Sequence, residues 1–421
     1  MTFETIALII TFVIGGYVAW NIGANDVANA IGTSVGSKAL TVKQAILIAA
    51  IFEVAGAILV GSHVTDTMRK NIIDTQLFKY EPEQVIYGML AALIATGLFL
   101  HSATFFGLPV STTHSIVGAI VGFGIISMGL DSISWNKILQ IVISWITSPL
   151  LGGIVAYLLF HLISRTILDT PTPIYKLKMI APVLVFLVIF IITLSIIYQG
   201  LSNLHLDLPF WLAFLIALGC GLIASIISRI LLKRIPKTLS QVSSIQRIKV
   251  IENTFKVLLI LTSCFIAFAH GSNDVANAIG PMAAIIDIIN SHQISKSVSV
   301  PFWLLVFGGG FIVVGLLMYG YKVIQTVGQS ITEMTPTRAF IAQFSAASVI
   351  LIGSKLGIPL STTHVLVGSI IGIGMARGIY AINMRVVRNI LSSWLITLPV
   401  AALVTIIIYL IIKHVMANIV F

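Results

Sequence analysis

Apolar runs near twenty residues long recur from one end of the chain to the other, and they constrain the fold more than any other feature. About twenty apolar residues in a helix cross roughly 30 Å of hydrocarbon, and the alternation expected of barrel strands is lacking. Of the 421 residues, 58% are hydrophobic and 9% charged, far outside soluble globular usage. The chain reads as an all-α polytopic membrane protein. Spans are expected near residues 4–30, 41–62, 84–104, 109–128, 136–162, 178–200, 208–232, 252–282, 300–322, 338–354, 359–376 and 385–412, twelve in all. The connections at Gly107 and Gly357 are so short that 109–128 and 359–376 read equally well as full spans or as arms of re-entrant hairpins.

The net charge of +10 comes from Lys and Arg spread through the connections, with no dense patch interleaved with aromatics, which argues against nucleic acid as a partner. The most basic connection runs from Arg229 to Lys256 and carries Lys233, Arg234, Lys237, Arg247 and Lys249. The positive-inside rule puts it in the cytoplasm and both termini outside, with 17 of the 24 Lys and Arg inside and 7 outside. The expected location is the cell inner (cytoplasmic) membrane. Glu4 and no basic residue precedes the first run, so it does not read as a cleavable signal. Cys220 and Cys264 stand alone in apolar segments and suggest neither a disulfide framework nor a cysteine metal site.

Two polar motifs interrupt the apolar runs, and each occurs twice. "GANDVANA" from Gly23 recurs as "GSNDVANA" from Gly271 at an offset of 248, and "PVSTTHSIVG" from Pro109 recurs as "PLSTTHVLVG" from Pro359 at an offset of 250. A weaker match of Val64, Thr67 and Ile72 with Val323, Thr326 and Ile331 has an offset of 259; it breaks this register and receives little weight. The second octet's span comes seven after the first, so the halves run in opposite directions through the membrane. The expected organisation is a first inverted repeat at 1–165, two linking spans and a basic cytoplasmic loop at 166–250, and a second inverted repeat at 251–421, with broken helices or hairpins near the midplane.

An aspartate at the bilayer centre costs about 2.5 to 3.5 kcal/mol on insertion scales, so Asp26 and Asp274 are expected to line a polar cavity or bind an ion. Gly23 and Gly271 are expected to let their helices open, freeing carbonyls as ligands for a small cation beside Asn25, Asp26 and Asn29 in one copy and Asn273, Asp274 and Asn277 in the other. Ordinary helix pairing through Asn and Asp is the competing reading, weakened by duplication. Glu53 is a further intramembrane carboxylate without an acidic counterpart, suited to helix pairing or to carrying a proton. His270 aligns with Ile22 and reads as a local difference in core packing.

The second motif has the opposite chemistry. Pro109 and Pro359 discourage helix in the residue before them, and Ser111 and Ser361 are favoured N-caps where an apolar run resumes. A helix beginning inside the membrane exposes unpaired amide hydrogens and a positive dipole end, a donor-rich pocket for an oxyanion. His114 and His364 follow in the first turn as orienting hydrogen-bond partners, with no clustered ligands to make them a metal site; a titrating role is open.

These motifs and the basic central loop resemble the signatures of the inorganic phosphate transporter (PiT) family over the whole chain. The resemblance implies secondary active uptake of inorganic phosphate by symport with Na⁺ or H⁺, with no other cofactor and no enzyme activity, in homodimers surrounded by membrane lipid. It implies that Ser111, Thr112, Thr113, Ser361, Thr362 and Thr363 cradle phosphate with Asp26 and Asp274. The coupling cation, Na⁺ or H⁺, is then expected at Asn25, Asp26, Asn29, Asn273, Asp274 and Asn277. Oxygen ligands suit Na⁺, whereas Asp, Glu53 and His114 suit a proton relay. Sulfate is the nearest rival substrate, but phosphate keeps a proton to donate to a carboxylate and sulfate at neutral pH has none. Metal phosphate is a third candidate for the transported species. A passive anion channel and an intramembrane hydrolase are more distant readings, the latter disfavoured because a catalytic triad needs one arrangement and both motifs are duplicated.

Overall fold

The computed structural model describes residues 3–70, 72–73, 75–197, 208–234, 243–293, 300–321, 323–324 and 331–419; the Asn29 side chain, Thr326 and Lys237 lie outside the described residues. Helix α1 (Phe3–Ile22) passes through a π-helical turn at Gly23–Val27 into α2 (Ala28–Gly36). There follow α3 (Val42–Val60), α4 (Ser62–Lys70), α5 (Pro82–Phe105), α6 (Thr112–Met128) and α7 (Trp135–Ile163). The linking pair α8 (Pro173–Ser195) and α9 (Phe210–Lys233) leads to α10 (Ser244–Ser291), α11 (Phe302–Tyr319), α12 (Pro336–Lys355), α13 (Thr362–Arg377) and α14 (Met384–Ile419). Among the described residues the only extended pairing is a single bridge between Ile73 and Ile133.

Ten of these described helical segments are long and apolar enough to cross a membrane. The other two expected spans are the 17-residue α6 and the 16-residue α13, each the return arm of a hairpin with α5 or α12. Their turns have a local cause. Gly107 and Gly357 adopt φ of 65° and 63°, the left-handed conformation that a side chain disfavours. Around them Leu108 N donates to Ala103 O (2.9 Å) and Ile358 N to Gly353 O (3.0 Å), the wide bond of a Schellman helix end. The following Pro and Ser then restart the chain as helix, with Ser111 Oγ accepting from His114 N (3.2 Å) and Ser361 Oγ from His364 N (3.3 Å).

Opening at the octets differs from expectation. Only the first copy departs from α-helical bonding, at Gly23–Val27, whereas α10 runs unbroken for 48 residues through Gly271 and Pro281. The two glycines serve close packing. A β-carbon on Gly23 would lie 1.8 Å from Ile312 O, and one on Gly271 would lie 2.2 Å from Glu53 O.

Equivalent contacts recur across the two halves. Gly56 on α3 abuts Phe268 O of α10, as Gly315 on α11 abuts Trp20 O of α1, and Ser134 N donates to Ile72 O (3.0 Å) as Asn383 N donates to Ile331 O (3.0 Å). These pairs obey the offset of 259 for α3 and α11, so that weak sequence match marks a real correspondence, and an insertion before α11 explains its altered register. The final long helices cross over: α7 packs on α13 and α14 on α6. Gly368 meets Pro149 O and Gly372 meets Gly153 O, while Gly118 meets Leu398 O and Gly122 meets Ala402 O.

These approaches predict the effect of single methyl groups. Gly315→Ala, whose new carbon would sit 1.7 Å from Trp20 O, is expected to lower stability by about 1–3 kcal/mol through overpacking. Gly310→Ala, with nothing within 4 Å, is expected to raise it by about 0.5–1 kcal/mol. Thermal unfolding in detergent checks both, and equal midpoints for the two variants would contradict the packing described.

Candidate functional site

The octet asparagines hold the turns from which α6 and α13 start. Asn25 Nδ2 donates to Thr104 Oγ1 (3.0 Å) and Leu108 O (3.0 Å), and its Oδ1 accepts from Val110 N (3.2 Å). In the second copy Asn273 Nδ2 donates to Ser354 Oγ (3.2 Å) and Ile358 O (3.2 Å). Asn25 therefore spends both amide hydrogens and its oxygen on backbone placement, a positioning task that the sequence did not distinguish from ion binding.

Each octet aspartate then meets the first residue of α6 or α13. Thr112 Oγ1 donates to Asp26 Oδ2, and Thr362 Oγ1 donates to Asp274 Oδ2 at 2.7 Å. The next residues interlock the two starts: Thr113 Oγ1 donates to Leu360 O (2.9 Å) and Thr363 Oγ1 to Val110 O (3.4 Å), and Asn277 Nδ2 donates to Thr113 Oγ1 (3.2 Å). The six hydroxyl residues expected to act together, Ser111 to Thr113 and Ser361 to Thr363, thus lie buried at one centre. Two helix N-termini, both positive dipole ends, abut there beside two carboxylates.

His114 and His364 close the back of this centre. Their ring centroids are 4.3 Å apart, each Nδ1 lies 3.4 Å from the carbonyl of Trp394 or Trp145, and the rings sit on Trp145 and Trp394 at 3.7 Å and 3.4 Å. They tie each helix start to the long helix that crosses over from the other half, in keeping with an orienting role.

His270 is placed otherwise than its alignment with Ile22 suggests. Its Nδ1 is 3.0 Å from Glu53 Oε2 and its Nε2 is 2.9 Å from Asp274 Oδ2, all three side chains being about 1% exposed. The Glu53 contact is a hydrogen bond, whereas Nε2 lies close to Asp274 without hydrogen-bond geometry. Donor atoms of Asp26, His270 and Asp274 fall within 4.8 Å of one another, an ion-sized group. Through the 259 offset Glu53 corresponds to Ile312, so the histidine–glutamate pair stands where the other half has two isoleucines.

A second polar cluster escaped the sequence reading altogether. Gln343 Nε2 has three acceptors in reach of its two hydrogens, Ser34 Oγ (2.6 Å), Thr33 Oγ1 (3.1 Å) and Ala30 O (3.3 Å), while its Oε1 accepts from Thr262 (3.1 Å) and Ser263 (3.2 Å). The corresponding positions in the other half are Leu93, Met282, Pro281, Ile14 and Gly15. The signal was present: a lone amide in the apolar run 338–354 carries the same burial cost that singled out the octets.

The cavity bounded by Asp26, His270, Thr362 and Thr363 measures about 10 Å³, room for hardly one water, so the centre is closed. Among the described residues, Asp26 Oδ1, Glu53 Oε1, Asn273 Oδ1, Asp274 Oδ1 and Asn277 Oδ1 are buried there with no hydrogen-bond donor, and His270 Nε2 likewise makes no hydrogen bond. Buried acceptors left unmatched cost roughly 1–3 kcal/mol each, so the donor set suits a cation that takes oxygen lone pairs.

A polytopic bundle that closes around paired carboxylates and helix N-termini belongs to the class of membrane transporters. A sequence model of the phosphate transporter family matches residues 22–405, and the chain belongs to that family. A putative phosphate permease of Pyrococcus abyssi is 44% identical over 96% of this chain and 97% of its own length. The chloroplastic inorganic phosphate transporter 2-1 of Arabidopsis thaliana is 41% identical over 94% of this chain and 70% of its own. The solved structure of a sodium-dependent phosphate transporter superposes with a TM-score of 0.90 at 39% identity, covering 97% of this chain and 99% of that one. The family and this neighbour are transporters, not enzymes.

The paired threonines generate a test. Thr112→Val and Thr362→Val are each expected to cut phosphate uptake by about tenfold to a hundredfold, the worth of a hydrogen bond to a charged group, with Thr→Ser at the same positions restoring most of it. Uptake in sealed vesicles measures this, and a valine variant at wild-type rate would remove Thr–Asp bonding from the site.

Proposed function

We propose that the chain imports inorganic phosphate across a cytoplasmic membrane by symport with Na⁺, through alternating access around a midplane site shared by two inverted repeats. The observation that carries the reading is the interlocked pair of helix starts, Thr113 on Leu360 O and Thr363 on Val110 O, each beside a threonine-bound aspartate. Amide hydrogens and hydroxyls at two N-termini offer donors to a tetrahedral oxyanion, and no Lys or Arg is needed. The carboxylates make the empty centre repel that anion, so cations must enter with it. The five acceptors without donors are suited to hold them. Likeness to a solved transporter that is sodium-dependent supports Na⁺.

In this reading cations neutralise Asp26 and Asp274, phosphate follows, and the α5–α6 and α12–α13 hairpins move against the long helices to exchange access. The central basic connection faces the cytoplasm and both termini face outward, in line with the charge distribution. The homodimer rests on family resemblance, and the mass of the detergent-solubilised protein by light scattering tests it. Proton coupling is the second reading, favoured by the buried Glu53–His270–Asp274 chain.

Purified protein in sealed vesicles with imposed Na⁺ or H⁺ gradients is expected to accumulate labelled phosphate with the Na⁺ gradient, unlabelled phosphate competing and sulfate not. Asp26→Asn and Asp274→Asn are each expected to lower Na⁺-driven uptake by about tenfold or more. Full cation-dependent uptake by both variants defeats the site assignment. Accumulation driven by a proton gradient alone, and lost in Glu53→Gln, replaces Na⁺ by H⁺.

A further inference from the structure

The two helices that link the halves carry a feature outside the transport centre. On α9, Ser225, Arg229 and Lys233 are spaced four residues apart and so form one stripe. Lys178, Met179 and Pro182 of α8 face the same space, and the two stripes line a groove of about 770 Å³. No Asp or Glu is among the described residues lining it. Arg229 and Lys233 are exposed, and so are Ile223, Ile226 and Ile230 on the rest of α9, a surface suited to hydrocarbon. The charged end of the groove lies at the start of α8 and the end of α9. Both ends are cytoplasmic in the orientation set by the basic connection that follows α9.

We infer that this groove binds an anionic phospholipid of the inner leaflet. The headgroup phosphate meets Lys178, Arg229 and Lys233, Ser225 lies one turn deeper to bond an ester oxygen, and an acyl chain runs along Met179 and Pro182. Charge complementarity selects the anionic headgroup, since basic pockets between helices on the cytoplasmic side are recognised ground for such lipids. The apolar wall and the open flank select a lipid over free phosphate, which gains nothing from either. The site joins the linking pair to the membrane surface and rests on the cytoplasmic placement of α9, independently of which cation drives transport.

The test is native mass spectrometry of the purified transporter taken from phosphatidylcholine vesicles containing a minority of phosphatidylglycerol. Phosphatidylglycerol is expected to be retained, and Arg229→Gln with Lys233→Gln is expected to reduce retention by about twenty-five-fold, at roughly fivefold per cation. Arg247→Gln, on α10 away from the groove, is expected to leave retention unchanged, and phosphate uptake by the double variant confirms that it folds. Excess inorganic phosphate is expected not to displace the lipid. Unchanged retention in the double variant overturns the inference, as does displacement by inorganic phosphate. Disulfide crosslinking between two copies through Ser225→Cys also overturns it, by showing that a second copy covers the groove.

Discussion

A carboxylate buried against the first turn of a helix is the interaction on which the rest of this structure depends. Asp26 and Asp274 are 2% and 1% exposed, and an unpaired charge so placed is costly to bury. A threonine hydroxyl and the amide end of a helix answer that cost only if the helix begins in the interior. The chain must therefore reverse there, which the left-handed glycines at 107 and 357 allow, and the reversal must be held in place, which Asn25 and Asn273 do. The exposed backs of the new helices must then be covered. The close glycine contacts of α6 with α14 and of α13 with α7 supply that cover.

Upon this duplicated frame the polar decoration is one-sided. The His270–Glu53 pair corresponds to Ile22 and Ile312, and the Gln343 cluster corresponds to Leu93, Met282 and Gly15. On that second side the core fills the space with hydrocarbon, and Met282 lies directly over Gly15. The equivalent positions of the two halves are thus filled by different means, buried hydrogen bonds in one and packed hydrocarbon in the other.

Much of this was legible in sequence because its causes are local. Apolar run length gave the helices, Pro-x-Ser-Thr-Thr gave the buried helix starts, and near-identical duplication drew attention to Asp26 and Asp274. What escaped depends on partners distant in the chain. Nothing near His270 announces Glu53, 217 residues away, and the alignment with Ile22 pointed to packing. Gln343 gathers hydroxyls some 80 and 309 residues distant, so its role emerges only when α2, α10 and α12 are brought together. The reach of the helices was underestimated too. The first continues to Gly36 with Thr33 and Ser34 buried, whereas the eighth spans Ser244–Ser291 and its added polar residues Ser244, Gln246, Lys249 and Asn290 are exposed, helix continuing beyond the apolar run.

The crossing of α7 and α14 has a consequence for biosynthesis. The groove of α6 that holds Gly118 and Gly122 is completed by Leu398 and Ala402 of α14, which leave the ribosome some 280 residues later. Neither half completes its own interior, so the Gly118 and Gly122 face of α6 stays uncovered in the nascent chain until α14 has been made and has packed against it.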